Sequence, residues 1–219
     1  MNNKIYPESG IELTEFTSRH YDSIMNIGTL GKYKKFIEKA VSEIKIEPED
    51  KILDLGCGTG RNSQMMAGYL NGKGRITGID ISENMEKQYK ERMGNDTRIE
   101  FINQRIDVPF YLKKKYDKVL ISFVLHGFPQ EIRETIIRNA YDHLIPGGKL
   151  HILDYAEFRM EEMPCLHRFI FRKAECKYAF DYIEKDWKSI LSDYGFGDFR
   201  EHLYVKKYVR LLEAVKSGE

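Results

Sequence analysis

Cysteine is scarce, with three residues in 219, and so are proline, with six, and tryptophan, with one. Cys57, Cys165 and Cys176 are odd in number and irregularly spaced, which excludes a disulfide framework and suits a reducing compartment. Cys165, His167 and Cys176 do not have the spacing of a zinc site, so no metal is expected. A charge excess is missing too: 35 lysines and arginines face 34 acids, a net charge of +1. Without a global field, neither nucleic acid nor an anionic membrane surface is favoured as a partner. No run approaches the ~18 apolar residues of a membrane span. The polar start Met1-Asn2-Asn3-Lys4 lacks the apolar stretch of a secretory signal, so the expectation is a cytoplasmic protein. Repeats, low-complexity tracts and linkers are absent as well. Residues 1–219 therefore read as one domain, and 42% hydrophobic content is enough for one sizeable core.

The most informative stretch that is present is 51–61, KILDLGCGTGR. A short apolar strand runs into Gly56, Gly58 and Gly60, three glycines at alternate positions, with Asp54 two residues ahead of them. Twenty residues past Gly60, a second apolar run, 76–81, carries Asp80 near its end. Glycines let the backbone turn sharply and approach a ligand, and a strand-end acid accepts hydrogen bonds from ribose hydroxyls. A dinucleotide fingerprint needs glycine at position 61, where Arg61 stands. A pyrophosphate also prefers bare amides, whereas Asp54 places a negative charge nearby and suits a cationic ligand carrying an amino group.

After residue 50, strand-like and helix-like segments alternate, as in a doubly wound sheet. Before it, Tyr33, Phe36, Ile37, Ala40, Val41 and Ile44 form one helical face, so residues 1–45 read as an amino-terminal helical cap. A helix is predicted over 61–70, and Ser82 is placed to cap another carrying Met85, Tyr89 and Met93. Strands follow at 99–102 and 118–123. A helix bearing Ile132, Ile136, Ala140 and Leu144 stops at Pro146-Gly147-Gly148, before a strand at 149–154. The next helix presents Ile183, Trp187, Ile190, Leu191 and Tyr194 and ends at Gly195. Two closing strands, about 198–205 and 207–215, are joined closely enough to pair antiparallel.

The pattern D-x-G-x-G-x-G with the strand-end Asp80 resembles motif I and the acidic loop of the class I S-adenosylmethionine-dependent methyltransferases. Pro146-Gly147-Gly148 resembles the turn before their fifth strand. Within that class, 20–26 (HYDSIMN) with Leu30-Gly31, and the ending Tyr194-Gly195-Phe196, are similar to the ubiquinone/menaquinone-biosynthesis methyltransferases. One departure is Phe123-Val124-Leu125-His126-Gly127, where those enzymes carry an arginine-asparagine pair after the fourth strand. The resemblance covers approximately 20–216. It implies a Rossmann-like doubly wound α/β sheet of seven strands, mostly parallel with an antiparallel last strand.

It also implies S-adenosylmethionine as cofactor, S-adenosylhomocysteine as product, and a small, apolar or aromatic acceptor of the quinol or phenol kind. Asp54 then meets the methionine ammonium, lined by the backbone of Gly56, Gly58 and Gly60. Asp80 takes the ribose, and Ile81 offers an apolar surface to the adenine. Asn103, Gln104, Arg105 and Ile106 line the adenine edge, with Gln104 where the family often has an acid. Ser122 falls where backbone touches the methionine portion, and Tyr21 resembles a donor to the cofactor carboxylate. His126, in the loop after the fourth strand, is the candidate general base, because imidazole titrates near neutrality. Asp154 and Tyr155 end the fifth strand at the same rim.

Residues 156–182 mix aromatic and basic side chains. They read as a cover over the acceptor, as a peripheral contact with a membrane, or as helices packed on the domain. Two further readings stay open: a methyltransferase acting on nucleic acid or protein, and a non-catalytic S-adenosylmethionine-binding regulator.

Overall fold

A computed structural model describes residues 32–218 of the chain. In order, it contains α1 (Lys32–Glu43), β1 (Lys51–Leu55), α2 (Arg61–Ala67), β2 (Arg75–Asp80), α3 (Glu83–Met93), β3 (Ile99–Asn103), β4 (Tyr116–Ser122) and α4 (Gln130–His143). β5 (Leu144–Tyr155), α5 (Cys165–Ala174), α6 (Lys177–Tyr182), α7 (Trp187–Asp193), β6 (Phe196–Tyr204) and β7 (Val209–Lys216) complete it.

The seven strands form one sheet in the order β3-β2-β1-β4-β5-β7-β6, parallel except for β7, which runs antiparallel to both its neighbours. This is the predicted architecture. The chain lays β2 and β3 on one side of β1, then crosses back to place β4 on the other. A crevice therefore opens beyond the carboxyl ends of β1 and β4, where open α/β sheets bind ligands.

Side chains alternate across the sheet with period two. Leu53, Leu55, Val119, Ile121, Ile152, Leu212 and Ala214 face a core closed by Ile136, Ile137 and Ala140 of α4 and by Trp187 and Leu191 of α7. Ile52, Ile76, Leu120, Leu153 and Leu211 face the other side, under α1 and α2. The predicted stripe on α1 is buried there, with Ile37, Ala40, Val41 and Ile44 at most 2% exposed. Asp54 lies on this second face, two residues on from Ile52.

Several boundaries differ from expectation. α2 ends at Ala67 instead of 70, because the Gly68, Tyr69 and Leu70 amides bond three residues back in a tighter turn. β5 begins at Leu144, ahead of the glycine pair: Leu144 pairs with Tyr116, and the register then slips before Lys118 meets Lys149. Ile183 precedes α7, whose true start is Asp186, the carboxylate of which accepts from the Ser189 amide at 3.0 Å. The remainder of the predicted cap, with Tyr21 and the HYDSIMN segment, lies outside the described residues. Among the described residues, no helix is long and apolar enough to cross a membrane, and no group of three metal-ligating side chains occurs.

Candidate active site

At Gly56 and Gly60 the loop between β1 and α2 is held by contacts that leave no room for a side chain. A Cβ on Gly60, which has φ +80° just before α2, would lie 2.6 Å from Tyr89 Cδ2 and from Met93 Cε. A Cβ on Gly56 would lie 2.5 Å from Val124 Cγ2, so the loop after β4 presses directly on the glycine loop. Gly58 differs: a Cβ there meets nothing within 4 Å, because that peptide faces the open crevice.

Two carboxylates flank the loop. Asp54 is 1% exposed, and its Oδ2 accepts from the Ser63 hydroxyl at 2.6 Å. Its Oδ1 is buried without a hydrogen-bond partner. Burial pushes the Asp54 carboxyl up to about 7; the Ser63 bond opposes this and the neighbouring Asp80 charge adds to it. Asp80 accepts from the Gly58 amide at 3.0 Å through Oδ2 and from the Ser82 amide at 2.9 Å through Oδ1. Burial raises its pKa as well, against those amide bonds. Each Asp80 oxygen keeps a further lone-pair direction for a second donor. Ser82 caps α3 as predicted, accepting from the Met85 amide.

Around these, Ile81 is 47% exposed, an apolar surface at the mouth of the crevice. Gln104 is half-buried, and its backbone amide donates to the Asp80 carbonyl at 3.1 Å. Arg105 folds onto Asp107 in a bidentate pair at 3.0 and 2.6 Å. Ile106 is buried in the core while its carbonyl accepts from Asn139. Ser122 stands half-buried at the end of β4.

On the other side of the crevice the chain leaves β4 through Phe123, whose φ of +53° turns it into the short 3-10 helix Leu125–Gly127. His126 sits in this turn. Its Nδ1 lies 2.7 Å from Asp154 Oδ1, and its backbone amide donates to Asp154 Oδ2 at 3.3 Å. Asp154 is 0% exposed. Glu175, from the segment between α5 and α6, lies 3.8 Å from Nε2 and accepts the Tyr155 hydroxyl proton at 2.5 Å. Burial pulls the His126 pKa down, but the charge and hydrogen bond of Asp154, with Glu175 behind them, outweigh it and leave the pKa raised.

Aromatic rings continue this wall. Tyr155 contacts the edges of His126, Phe123 and Phe171, and Phe171 in turn contacts Phe158 and Phe180. Arg133 of α4, fully buried, ties the wall together. It donates to the Leu125 carbonyl at 3.0 Å, the Tyr178 carbonyl at 2.6 Å and Asp181 at 2.6 Å. Ser63, Arg133 and Glu175 were not among the residues singled out by sequence. Ser63 has a readable signal, since it lies in the first turn of the helix after the glycine loop; Arg133 and Glu175 have none.

Residues 52–148 match the family described as a methyltransferase domain. Demethylmenaquinone methyltransferase of Listeria welshimeri is 29% identical over 146 residues, 65% of this chain and 61% of that protein. The ubiquinone/menaquinone biosynthesis C-methyltransferase of Wigglesworthia glossinidia brevipalpis is 28% identical over 143 residues, 64% of this chain and 56% of that one. The chain thus spans about three-fifths of the length of such relatives.

Among solved structures, an S-adenosylmethionine-dependent methyltransferase from Aquifex aeolicus superposes with a TM-score of 0.66 at 16% identity, over 94% of this chain and 100% of that one. The N-methyltransferase NodS of Bradyrhizobium japonicum, solved with S-adenosyl-L-homocysteine, gives 0.58 at 14% identity, over 85% and 87%. The matched segment, 52–148, spans the glycine loop, Asp80 and the His126 turn, so the chain is similar to the methyltransferase domain family across its candidate site and shares its fold with solved S-adenosylmethionine-dependent methyltransferases.

Proposed function

We infer that this protein, as a single domain, transfers the methyl group of S-adenosylmethionine to a small apolar or aromatic acceptor of the quinol or phenol kind. The observation that carries the first half is Asp54: a buried carboxylate oxygen without a partner, beside a peptide that faces open space, fits a ligand bringing a cationic donor. Asp54 would hold the ammonium, Asp80 the ribose hydroxyls, and Ile81 the adenine face, with Gln104, Arg105 and Ile106 beside it. Ser122 and the glycine-loop backbone would border the methionine part. When bound, the cofactor supplies a methyl group on a sulfonium, whose departure as a neutral thioether calls for neither metal nor strong acid.

The second half rests on the His126 wall. Asp154 accepts the Nδ1 proton, which fixes the tautomer and leaves the Nε2 lone pair free to take a proton from an acceptor hydroxyl or ring carbon. Glu175 stands near enough to stabilise the imidazolium that forms. Rings of Tyr155, Phe171 and Phe123 suit a flat apolar acceptor and keep water from the reacting atoms. The names of the quinone-pathway relatives point to the same acceptor class.

Incubation of purified protein with labelled S-adenosylmethionine and separate quinol, phenol, amine, thiol and RNA acceptors tests this reading. Label transfer to a quinol or phenol is the expected result. Transfer to RNA alone, or S-adenosylhomocysteine binding with no transfer to any acceptor, would replace it with one of the other two functions.

A further inference from the structure

We propose a second ligand site, for a small oligophosphate, in a cleft at the amino-terminal edge of the sheet. Lys51, Arg75, Ile99 and Tyr116, the first residues of β1, β2, β3 and β4, all line it. It is therefore at the opposite end of the strands from Asp54, Asp80 and His126. Five strand residues separate the two ends, roughly 15 Å.

Charge is the first argument. Six cations line the cleft: Lys51, Arg75, Arg98, Lys113, Lys114 and Lys115. Glu100 is the one acid among the lining residues. Arg98 is neutralised by a bidentate pair with Asp96, and Lys114 by Glu100. The others are not. Arg75 donates to the carbonyls of Gly72 and Gly74 at 2.7 and 2.8 Å, and Lys115 to the carbonyl of Asp142, none of which cancels a charge. Lys51 and Lys113 have no ion pair among the described residues. In a chain whose net charge is only +1, four cations without an ion pair among the described residues around one concavity form a local positive field.

Space is available as well. The cleft volume, about 500 Å³, is that of a small-molecule site. No exposed ring lines it on which nucleic-acid bases could stack, which favours a compact polyanion over a polynucleotide.

Calorimetric titration of the full chain with inorganic tripolyphosphate, at low salt and with S-adenosylhomocysteine present, tests the site. Saturable one-to-one binding is expected, weakened about tenfold in Lys113→Gln/Lys115→Gln, whose side chains are exposed and whose loss leaves the fold intact. Tighter binding of adenosine triphosphate would identify a nucleotide as the source of the phosphates; weaker binding would identify a free oligophosphate. Absence of saturable binding, equal affinity in the double variant, equal affinity for single phosphate, or preference for an RNA oligomer would each overturn the proposal. None of these outcomes depends on methyl transfer.

Discussion

Asp54→Asn is expected to stabilise the ligand-free protein and to weaken the cofactor. In the folded chain the Asp54 carboxyl titrates at about 7, against 3.8 in the unfolded chain. Because the folded pKa is the higher, the folded state holds a proton the unfolded state lacks between those values, and stability falls as pH rises through that window. Three units correspond to about 4 kcal/mol if none of the strain relaxes, and to about 2 kcal/mol with ordinary relaxation. Asparagine has the same shape, can still accept the Ser63 hydroxyl, and carries no charge. At pH 8 the variant should melt roughly 4–8 °C above wild type; at pH 5 the gap should shrink to less than half, and it should close only as pH falls below 3.8. Its affinity for S-adenosylhomocysteine should fall by about ten- to a hundredfold, the loss of one charge-assisted hydrogen bond. At pH 6, wild-type binding should release a proton, seen as a dependence of the calorimetric heat on buffer ionisation enthalpy. A melting scan across pH 5–8 and one titration decide the matter. A variant less stable than wild type at pH 8, or one that binds S-adenosylhomocysteine equally well, would refute the reasoning.

Replacing His126 with Gln should lower kcat by about 10²- to 10⁴-fold and leave S-adenosylhomocysteine affinity unchanged. The wild-type rate should rise with pH through a midpoint above 6.5, because the base must lose a proton that Asp154 and Glu175 help retain; a flat profile would remove the role. Gly60→Ala should cost about 1–3 kcal/mol in stability from its contacts with Tyr89 and Met93, measured by urea titration. Gly58→Ala, facing open space, should cost less stability and more cofactor affinity. Acid should unfold the protein partly through β5 and β7. Hydrogen bonding from His151, then Lys149, holds the Glu213 carboxyl at about 2, so its contribution is complete above 4.5 and lost as pH falls toward 2. Burial lowers the His151 pKa too, so protonating that ring also favours the unfolded state. Glu213→Gln should therefore show a flatter decline in melting temperature below pH 5 than wild type.

What sequence could disclose divides along local and distant lines. The glycine loop, Asp54, Asp80 and the Ser82 cap lie within one strand-turn-helix unit or its neighbour, where spacing alone determines which atoms meet. The α1 stripe was legible because burial follows helical periodicity. Element ends were less so: Asp186 capping displaced the start of α7, and pairing with Tyr116 drew Leu144 and the glycine pair into β5, effects that depend on partners rather than on propensity. His126, Asp154 and Tyr155 could each be named, but not joined. Their union with Glu175 links residues 28 and 49 positions apart, and only the sheet order and the seating of α5 and α6 bring them together. For the same reason, basic residues scattered from 51 to 115 gave no sign of sharing a cleft.

The glycine loop, Asp54 and Asp80 belong to the first half of the chain, whereas the wall around His126 is built from β4 onward and is bolted down by a single guanidinium, that of Arg133. Under the proposed function, donor recognition and acceptor choice are thereby modular. On the same reading, exchange of residues 156–182 for those of a methyltransferase of other specificity, with Arg133 kept and the Tyr178 and Asp181 positions grafted unchanged, is a route to new acceptor preferences that leaves Asp54 and Asp80 untouched.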